Sequence, residues 1–360
     1  MTYKKLVFKD NCIDFIRLIA AMIVMFSHSF RWFGVDKPIW GLYFTDGSVG
    51  VITFNVLSGF LIFSSWERFS NSETCIKKRI KKYAISRIFR IYPALIVSCI
   101  LICILDIIVR RQNLIINMKT PLKIILYCVA AFQSEPIKGG YSNGVLWTLF
   151  NEIILYCLIP IFYPLLRALK KWQFGILIFA CWGVNLADHF IINIPKTKYI
   201  FEILGGGGAF PIIMYEYLIG IFIFCFMDDI IPILRNSTFL ITSIILWSIY
   251  YYVYSYTGIL PQFGETHNAV FGITLPWIVM GIAYKFNIRF KYDISYGIYL
   301  YHMPIIQLLI DFTQKNSSCL PIVWILVILL SSISCIFIER PFIKLKSSFQ
   351  WRNNYFIICH

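Results

Sequence analysis

The sequence predicts an all-α, polytopic helical membrane protein, and three observations carry that prediction. Of its 360 residues, 59% are hydrophobic and only 14% charged, so a soluble surface would be hard to assemble. The apolar residues gather in runs of roughly 20, the length a helix needs to cross a hydrocarbon core of about 30 Å. The formal net charge is +15, yet the basic residues sit in short segments between the apolar runs, as cytoplasmic loops of membrane proteins do. That distribution argues against a nucleic-acid partner, which requires a basic face on a folded surface. The first partner the composition implies is a lipid bilayer.

About ten transmembrane helices are expected, near residues 12–32, 48–66, 84–109, 147–167, 172–192, 209–227, 237–257, 268–285, 294–313 and 320–341. The basic residues orient them. Lys77, Lys78, Arg79, Lys81 and Lys82 follow the second run, Arg167, Lys170 and Lys171 the fourth, and Arg235 the sixth. Lys285, Arg289 and Lys291 follow the eighth, and Lys344, Lys346 and Arg352 the tenth. With these clusters inside, both termini are cytoplasmic. The apolar stretch 121–132 is too short for an ordinary span, and counting it would put every later basic cluster outside. It is therefore expected to re-enter or to lie at the interface. A single membrane domain over 1–345 and a short cytoplasmic tail, 346–360, complete the layout, with no soluble domain and no repeat of fixed period. Residues 1–11 are basic and lack a small-residue cleavage site, so no removable signal peptide is expected. The glycine run 205–208 reads as flexible outer backbone or as a place of close ligand approach. The eleven cysteines are scattered, mostly in apolar runs (Cys99, Cys103, Cys157, Cys225), and read as small apolar residues with no metal site.

Ionisable residues inside such runs are costly and point to function. The first run carries two, Arg17 and His28. Their separation of eleven residues advances a helix by about 1,100°, within about 20° of three turns, so both project from one face about 16 Å apart along the axis. His28 falls near the outer end, where a neutral imidazole with an ordinary pKa of about 6.5 can take a proton from a hydroxyl. The plainer alternative is a core histidine bonded to a neighbour. Arg17 stays charged and needs a partner, for which Asp14, one turn earlier, is nearest in sequence. It is either structural or lines a path for a donor molecule.

Arg87 and Arg90, three apart near the inner end of the third run, can present both guanidinium forks to one phosphate-bearing anion. Ordinary inside-positive charge is the alternative. The Lys77 to Lys82 cluster is chiefly topological, with attraction of anionic lipid secondary. Glu152 sits about one turn inside the outer end of its run, after Tyr141 and Trp147. There it can orient His28, bind a sugar hydroxyl, or serve a structural ion pair. Glu339, beside Arg340 at the inner end of the last run, reads most simply as half of a local ion pair. His302, among Tyr299 and Tyr301, reads most simply as a packed residue with a satisfied polar tip.

Several segments then combine into a pattern. Ile13-Asp14-Phe15-Ile16-Arg17 with His28 makes an Arg, ten residues, His signature. It is followed in order by Phe54-Asn55-Val56-Leu57-Ser58-Gly59-Phe60-Leu61-Ile62, Arg87-Ile88-Phe89-Arg90-Ile91-Tyr92-Pro93 and Leu146-Trp147-Thr148-Leu149-Phe150-Asn151-Glu152. Ser295-Tyr296-Gly297-Ile298-Tyr299-Leu300-Tyr301-His302 and Ile338-Glu339-Arg340-Pro341 complete it. Each is weak alone; in this order across nearly the whole chain they resemble the acyltransferase 3 family of integral-membrane acyltransferases that modify bacterial surface glycans. The resemblance implies that His28 activates the acceptor, as general base or transient acyl carrier, and that the Arg87 and Arg90 pair meets the acyl-CoA donor. It further implies acetyl-CoA or another acyl-CoA as donor substrate with no permanently bound cofactor, a glycan or lipid-linked saccharide as acceptor, and the bacterial cytoplasmic membrane as location. Asp14, Tyr141, Trp147, His302 and Glu339 stand as supporting candidates beside Arg17 and Glu152. Two other classes fit a membrane His. A transporter or flippase of a lipid-linked saccharide would show paired repeats with broken helices, and the membrane-bound O-acyltransferases of different fold carry their His late in a long apolar segment.

Overall fold

The computed structural model describes residues 11–35, 46–108, 143–191, 210–256 and 269–345. Tyr141, the 121–132 stretch, the 205–208 glycines and both terminal segments lie outside them. The described residues form α1 (Ile13–Phe33), α2 (Gly47–Ser72), α3 (Ile76–Ile108), α4 (Leu146–Ala168), α5 (Lys171–Ile191) and α6 (Phe210–Cys225). There follow α7 (Met227–Leu234), α8 (Ser237–Tyr256), α9 (Ala269–Lys285), α10 (Ser295–Thr313) and α11 (Leu320–Ser334), the last running into a π-turn at Cys335–Glu339. A helix stands on each of the ten expected runs. Five segments are long and apolar enough to cross a membrane: α1, α2, α3, α4 and Ser317–Leu345 around α11. The α6–α7 pair makes a sixth if its 103° bend is one broken span. The chain is thus a multi-pass integral membrane protein.

Three local features depart from the sequence reading. α3 begins at Ile76, so the Lys77 to Lys82 cluster is helix rather than loop. Two of its members close the end of α2: Arg79 donates through Nε and Nη2 to the Glu73 carbonyl at 3.1 and 2.9 Å, and Lys82 Nζ meets Glu73 Oε2 at 2.8 Å. Carbonyls at a helix C-terminus lack partners within the helix, and basic side chains supply them. The sixth run breaks at Phe226, and α7 turns away with Asp228 and Asp229 in its first turn, where the helix dipole favours acids. The cysteines are not uniformly buried, since Cys157 is exposed and Cys103, Cys181, Cys225 and Cys319 are half-buried.

α2 is the most buried of the long helices. It crosses α6 backbone to backbone: a Cβ on Gly59 would lie 2.1 Å from the Tyr217 carbonyl oxygen, and one on Gly220 the same distance from that of Val56. Lipid offers no hydrophobic drive for helix pairing, so close backbone approach through small residues supplies the contact instead. Gly59→Ala is expected to lower the melting temperature of the detergent-solubilised protein by a margin corresponding to about 1–3 kcal/mol of overpacking. Gly175→Ala, where nothing lies within 4 Å, is the matched control and is expected to melt like wild type.

α1 packs against both α2 and α10. Its first turn is pinned by Cys12, whose backbone N–H donates to the Ala283 carbonyl at 2.8 Å at the end of α9. Gly50 lets α2 approach α1, and Gly297 lets α10 approach Ser331 of α11. The polar residues of α1 and α10 therefore face each other inside the bundle.

Candidate active site

The α1–α10 contact carries the two histidines. His28 Nδ1 and His302 Nε2 are 2.9 Å apart, with the rings stacked at 9°. His302 is completely buried, and its Nδ1 lies 3.0 Å from the Ile298 carbonyl. A carbonyl oxygen only accepts, so His302 Nδ1 carries the proton and its Nε2 is an acceptor. His28 must then donate from Nδ1, which leaves the lone pair on His28 Nε2 free. One chain of hydrogen bonds, started by a helix carbonyl, thus selects the tautomer of the half-buried His28.

On one side of this pair lies a cavity of about 360 Å³. Six basic side chains line it (Arg17, Arg68, Arg87, Arg90, Lys291 and Arg340) against four carboxylates (Asp14, Glu152, Asp293 and Glu339). His28 does not line it. The partition is Tyr299, whose ring packs edge-on against Phe54 on the cavity side and against His302 beyond, and whose hydroxyl meets Thr148 Oγ1 at 2.5 Å. On the other side His28 lines a second pocket of about 370 Å³ together with Arg31, Trp32, Gly144, Met303 and Lys315. Arg17 and His28 share a helix face, as their spacing requires, and open onto different cavities.

The structure redirects several expected pairings. Arg17 Nη1 bonds Asp293 Oδ2 at 2.5 Å, so its partner is Asp293 and not Asp14, which lines the same cavity. Asp293 is prepared for this by Ser295, whose N–H and Oγ–H donate to its other oxygen at 3.1 and 2.5 Å. Burial alone would raise the Asp293 pKa, but Arg17 and then Ser295 outweigh it and hold the carboxyl below its ordinary value. A carboxyl with a depressed folded-state pKa adds stability that is complete above about pH 4 and is lost as pH falls through the still lower folded value. Asp293→Asn is accordingly expected to cost about 1 kcal/mol at pH 7, the pair being partly exposed and screened. Below pH 4 the wild type should converge on the variant in a thermal-melt series.

Glu152 is not beside His28. It accepts a hydrogen bond from Tyr156 in the arginine-rich cavity, on the side of the α3 arginines, because a carboxylate in a low-dielectric interior is stable only near cations. Arg87 is held in an aromatic cage, its guanidinium 5.4 Å from the Tyr83 ring and 5.3 Å from that of Tyr156, with Nη2 donating to Ser65. Arg90 lines the cavity without such a cage, so the two arginines expected to act alike stand in different environments. Glu339 does not pair with Arg340. Neighbouring residues on a helix point about 100° apart: Glu339 accepts from Ser334 Oγ at 3.2 Å, while Arg340 lies 4.4 Å over the Tyr292 ring. The π-turn that carries Glu339 inserts an extra residue per turn and re-aims this end of the helix into the cavity. Trp147 packs against the main apolar core and lines neither cavity.

Two features were missed in the sequence. Asp293 stands just before the Ser295–His302 segment and was counted as loop. Glu216, the single acid within α6, is completely buried and accepts from Asn55 Nδ2 at 2.7 Å, which places it behind the cavity wall; a lone acid in an apolar run was the signal available.

Fold and site together define a multi-pass membrane protein with a hydrogen-bonded histidine pair between an arginine-rich cavity and a second pocket. The chain belongs to the acyltransferase 3 family: the family model described as an acyltransferase domain matches residues 10–340. It is similar to nodulation protein 10 of Rhizobium leguminosarum bv. viciae, 28% identical over 373 aligned positions covering 94% of each chain. It is also similar to the O-acetyl transferase of Shigella phage Sf6, 26% identical over 315 positions covering 84% of this chain and 86% of that one. No solved structure matches it. The chain is therefore an acyltransferase, which sets the transport reading aside.

Proposed function

We propose that the protein is an O-acetyltransferase of the bacterial cytoplasmic membrane. It takes an acetyl group from cytoplasmic acetyl-CoA and passes it to a hydroxyl of a cell-surface or lipid-linked glycan. In this reading residues 1–345 act as one membrane domain of ten spans, with both termini and the basic ends of the helices in the cytoplasm. The observation that carries it is the histidine pair between two cavities, the inner one rich in arginine. Coenzyme A is a phosphate-bearing donor, and guanidinium groups suit phosphate. The O-acetyl transferase named among the similar proteins supports acetyl as the group transferred.

The chemistry follows from the tautomer. His28 Nε2 takes the proton of the acceptor hydroxyl as the oxygen attacks the thioester carbonyl. The C–S bond breaks, and the proton passes to the departing thiolate, leaving an acetyl ester and free coenzyme A. His302 is a positioning residue: it accepts from His28 Nδ1–H and steadies the imidazolium that forms. The same free Nε2 suits a transient acetyl-His, for which ping-pong kinetics are the signature; sequential kinetics exclude it.

The test is transfer of label from acetyl-labelled coenzyme A to host lipid-linked glycans by membranes containing the protein. Labelled, alkali-labile glycan is expected. No transfer from acetyl-CoA to verified native acceptor, with transfer from succinyl-CoA instead, would replace the acetyl donor; no transfer from either would overturn the reading.

A further inference from the structure

The outer pocket that His28 opens onto carries positive charge of its own. α1 starts against the end of α9, and Arg17 near that start pairs with Asp293 just before α10. That end of the bundle also carries Lys285, Arg289 and Lys291. At the opposite ends of α1 and α10 two further cations stand together. Arg31 is in the last turn of α1 and Lys315 follows the end of α10, and both line the pocket that His28 opens onto. Among the described residues that line this pocket there are two cations and no acid, so the like charges held there favour an anionic ligand.

The local geometry is built rather than incidental. Arg31 lies three residues after His28, hence about one turn further out on nearly the same helix face. Lys315 is delivered by two consecutive residues with left-handed backbone, Gln314 at φ 50° and Lys315 at φ 65°. That conformation is unfavourable for residues carrying a Cβ. Both cations are exposed, and neither has an ion pair among the described residues. Trp32, 41% exposed, adds an apolar ring surface at the same rim. The pocket volume of about 370 Å³ falls within the range of about 300–1,000 Å³ typical of small-molecule sites.

We infer that the outer pocket binds an anionic saccharide: Arg31 and Lys315 hold a carboxylate or phosphate of the acceptor about one helical turn outward of the hydroxyl that His28 activates. This rests on the acyl-transfer reading for the role of His28, but the anion site itself can be measured without any transfer. A uronic acid and a sugar phosphate share the required chemistry.

Binding to protein in phosphatidylcholine nanodiscs, where no lipid carries net negative charge, separates them. Three probes are used without donor: a neutral N-acetylglucosamine tetramer, a hyaluronan tetrasaccharide bearing carboxylates, and N-acetylglucosamine 1-phosphate. At least one anionic probe is expected to bind about tenfold or more tighter than the neutral one at low salt, with the advantage shrinking as salt rises. Arg31→Gln and Lys315→Gln are each expected to cut the advantage several-fold, and the double variant to bring the ratio near one. A stronger carboxylate response assigns a uronic acid, and a stronger phosphate response a phosphorylated or phosphate-linked sugar. Equal binding of all three probes, no binding of any, or an advantage that survives in the double variant overturns the inference. Charge-selective binding with no acetyl transfer to any glycan keeps the anion site and removes the proposed transferase reaction. Transfer without charge preference does the reverse.

Discussion

His28→Ala is expected to lower the rate of acetyl transfer by about 10²–10⁴, the range that general acid–base catalysis by a positioned side chain supplies. The KM for acetyl-CoA should change little, because His28 lines the second pocket and not the arginine-rich cavity. His302→Gln is the informative companion. The native His302 Nδ1 lies 3.0 Å from the Ile298 carbonyl and its Nε2 is 2.9 Å from His28. A glutamine amide can present either its oxygen or its nitrogen to His28, so the tautomer is no longer selected. An intermediate loss is expected, together with a shifted pH–rate profile, which a purely packing role for His302 would not produce. Steady-state kinetics across pH on purified wild type and both variants decide the matter. A His28→Ala enzyme with wild-type turnover would remove His28 from the reaction.

Arg90→Ala is expected to raise the KM for acetyl-CoA about 10- to 100-fold, the scale of a charged hydrogen bond lost from a phosphate, with a smaller loss of melting temperature than Arg87→Ala, since Asp14, Glu152 and Asp293 lose one neighbouring cation but no packed cage is emptied. Arg87→Ala is expected to behave differently. Arg87 fills the space between the Tyr83 and Tyr156 rings and bonds Ser65, so its removal empties a packed cage and lowers the melting temperature along with activity. Sequence alone treats the two arginines as equivalent members of one clamp. Measuring KM and thermal stability for each separates the cavity-facing role from the scaffold role, and an Arg90→Ala protein with unchanged KM would remove Arg90 from donor binding.

These contrasts mark where sequence reasoning stops. The positions of ten of the helices were legible because apolar runs of about 20 residues are written locally along the chain, whereas α7 was not expected and five or six segments are long and apolar enough to span. That Arg17 and His28 share a face was legible too, since helix periodicity is local. Partnership was not. Asp14 lies one turn from Arg17, yet the ion pair goes to Asp293, 276 residues away, because docking of α1 on α10 brings in a carboxylate already oriented by Ser295. Glu152 was expected near His28 and sits with Tyr156 instead, since its depth along α4 does not say which neighbour α4 will face. The His28–His302 pair spans 274 residues, and neither histidine carries any sequence mark of the other.

By itself the sequence determined that this is a helical membrane protein with ionisable groups at two depths of its first helix, and its motif order placed it among acyltransferases. Only the tertiary structure decided which tautomer His28 adopts, which arginine is caged between aromatic rings, and that Arg31 and Lys315 meet at one pocket. The reason is physical: membrane insertion is set residue by residue along each helix, whereas proton position and charge pairing depend on contacts between helices that are far apart in the chain.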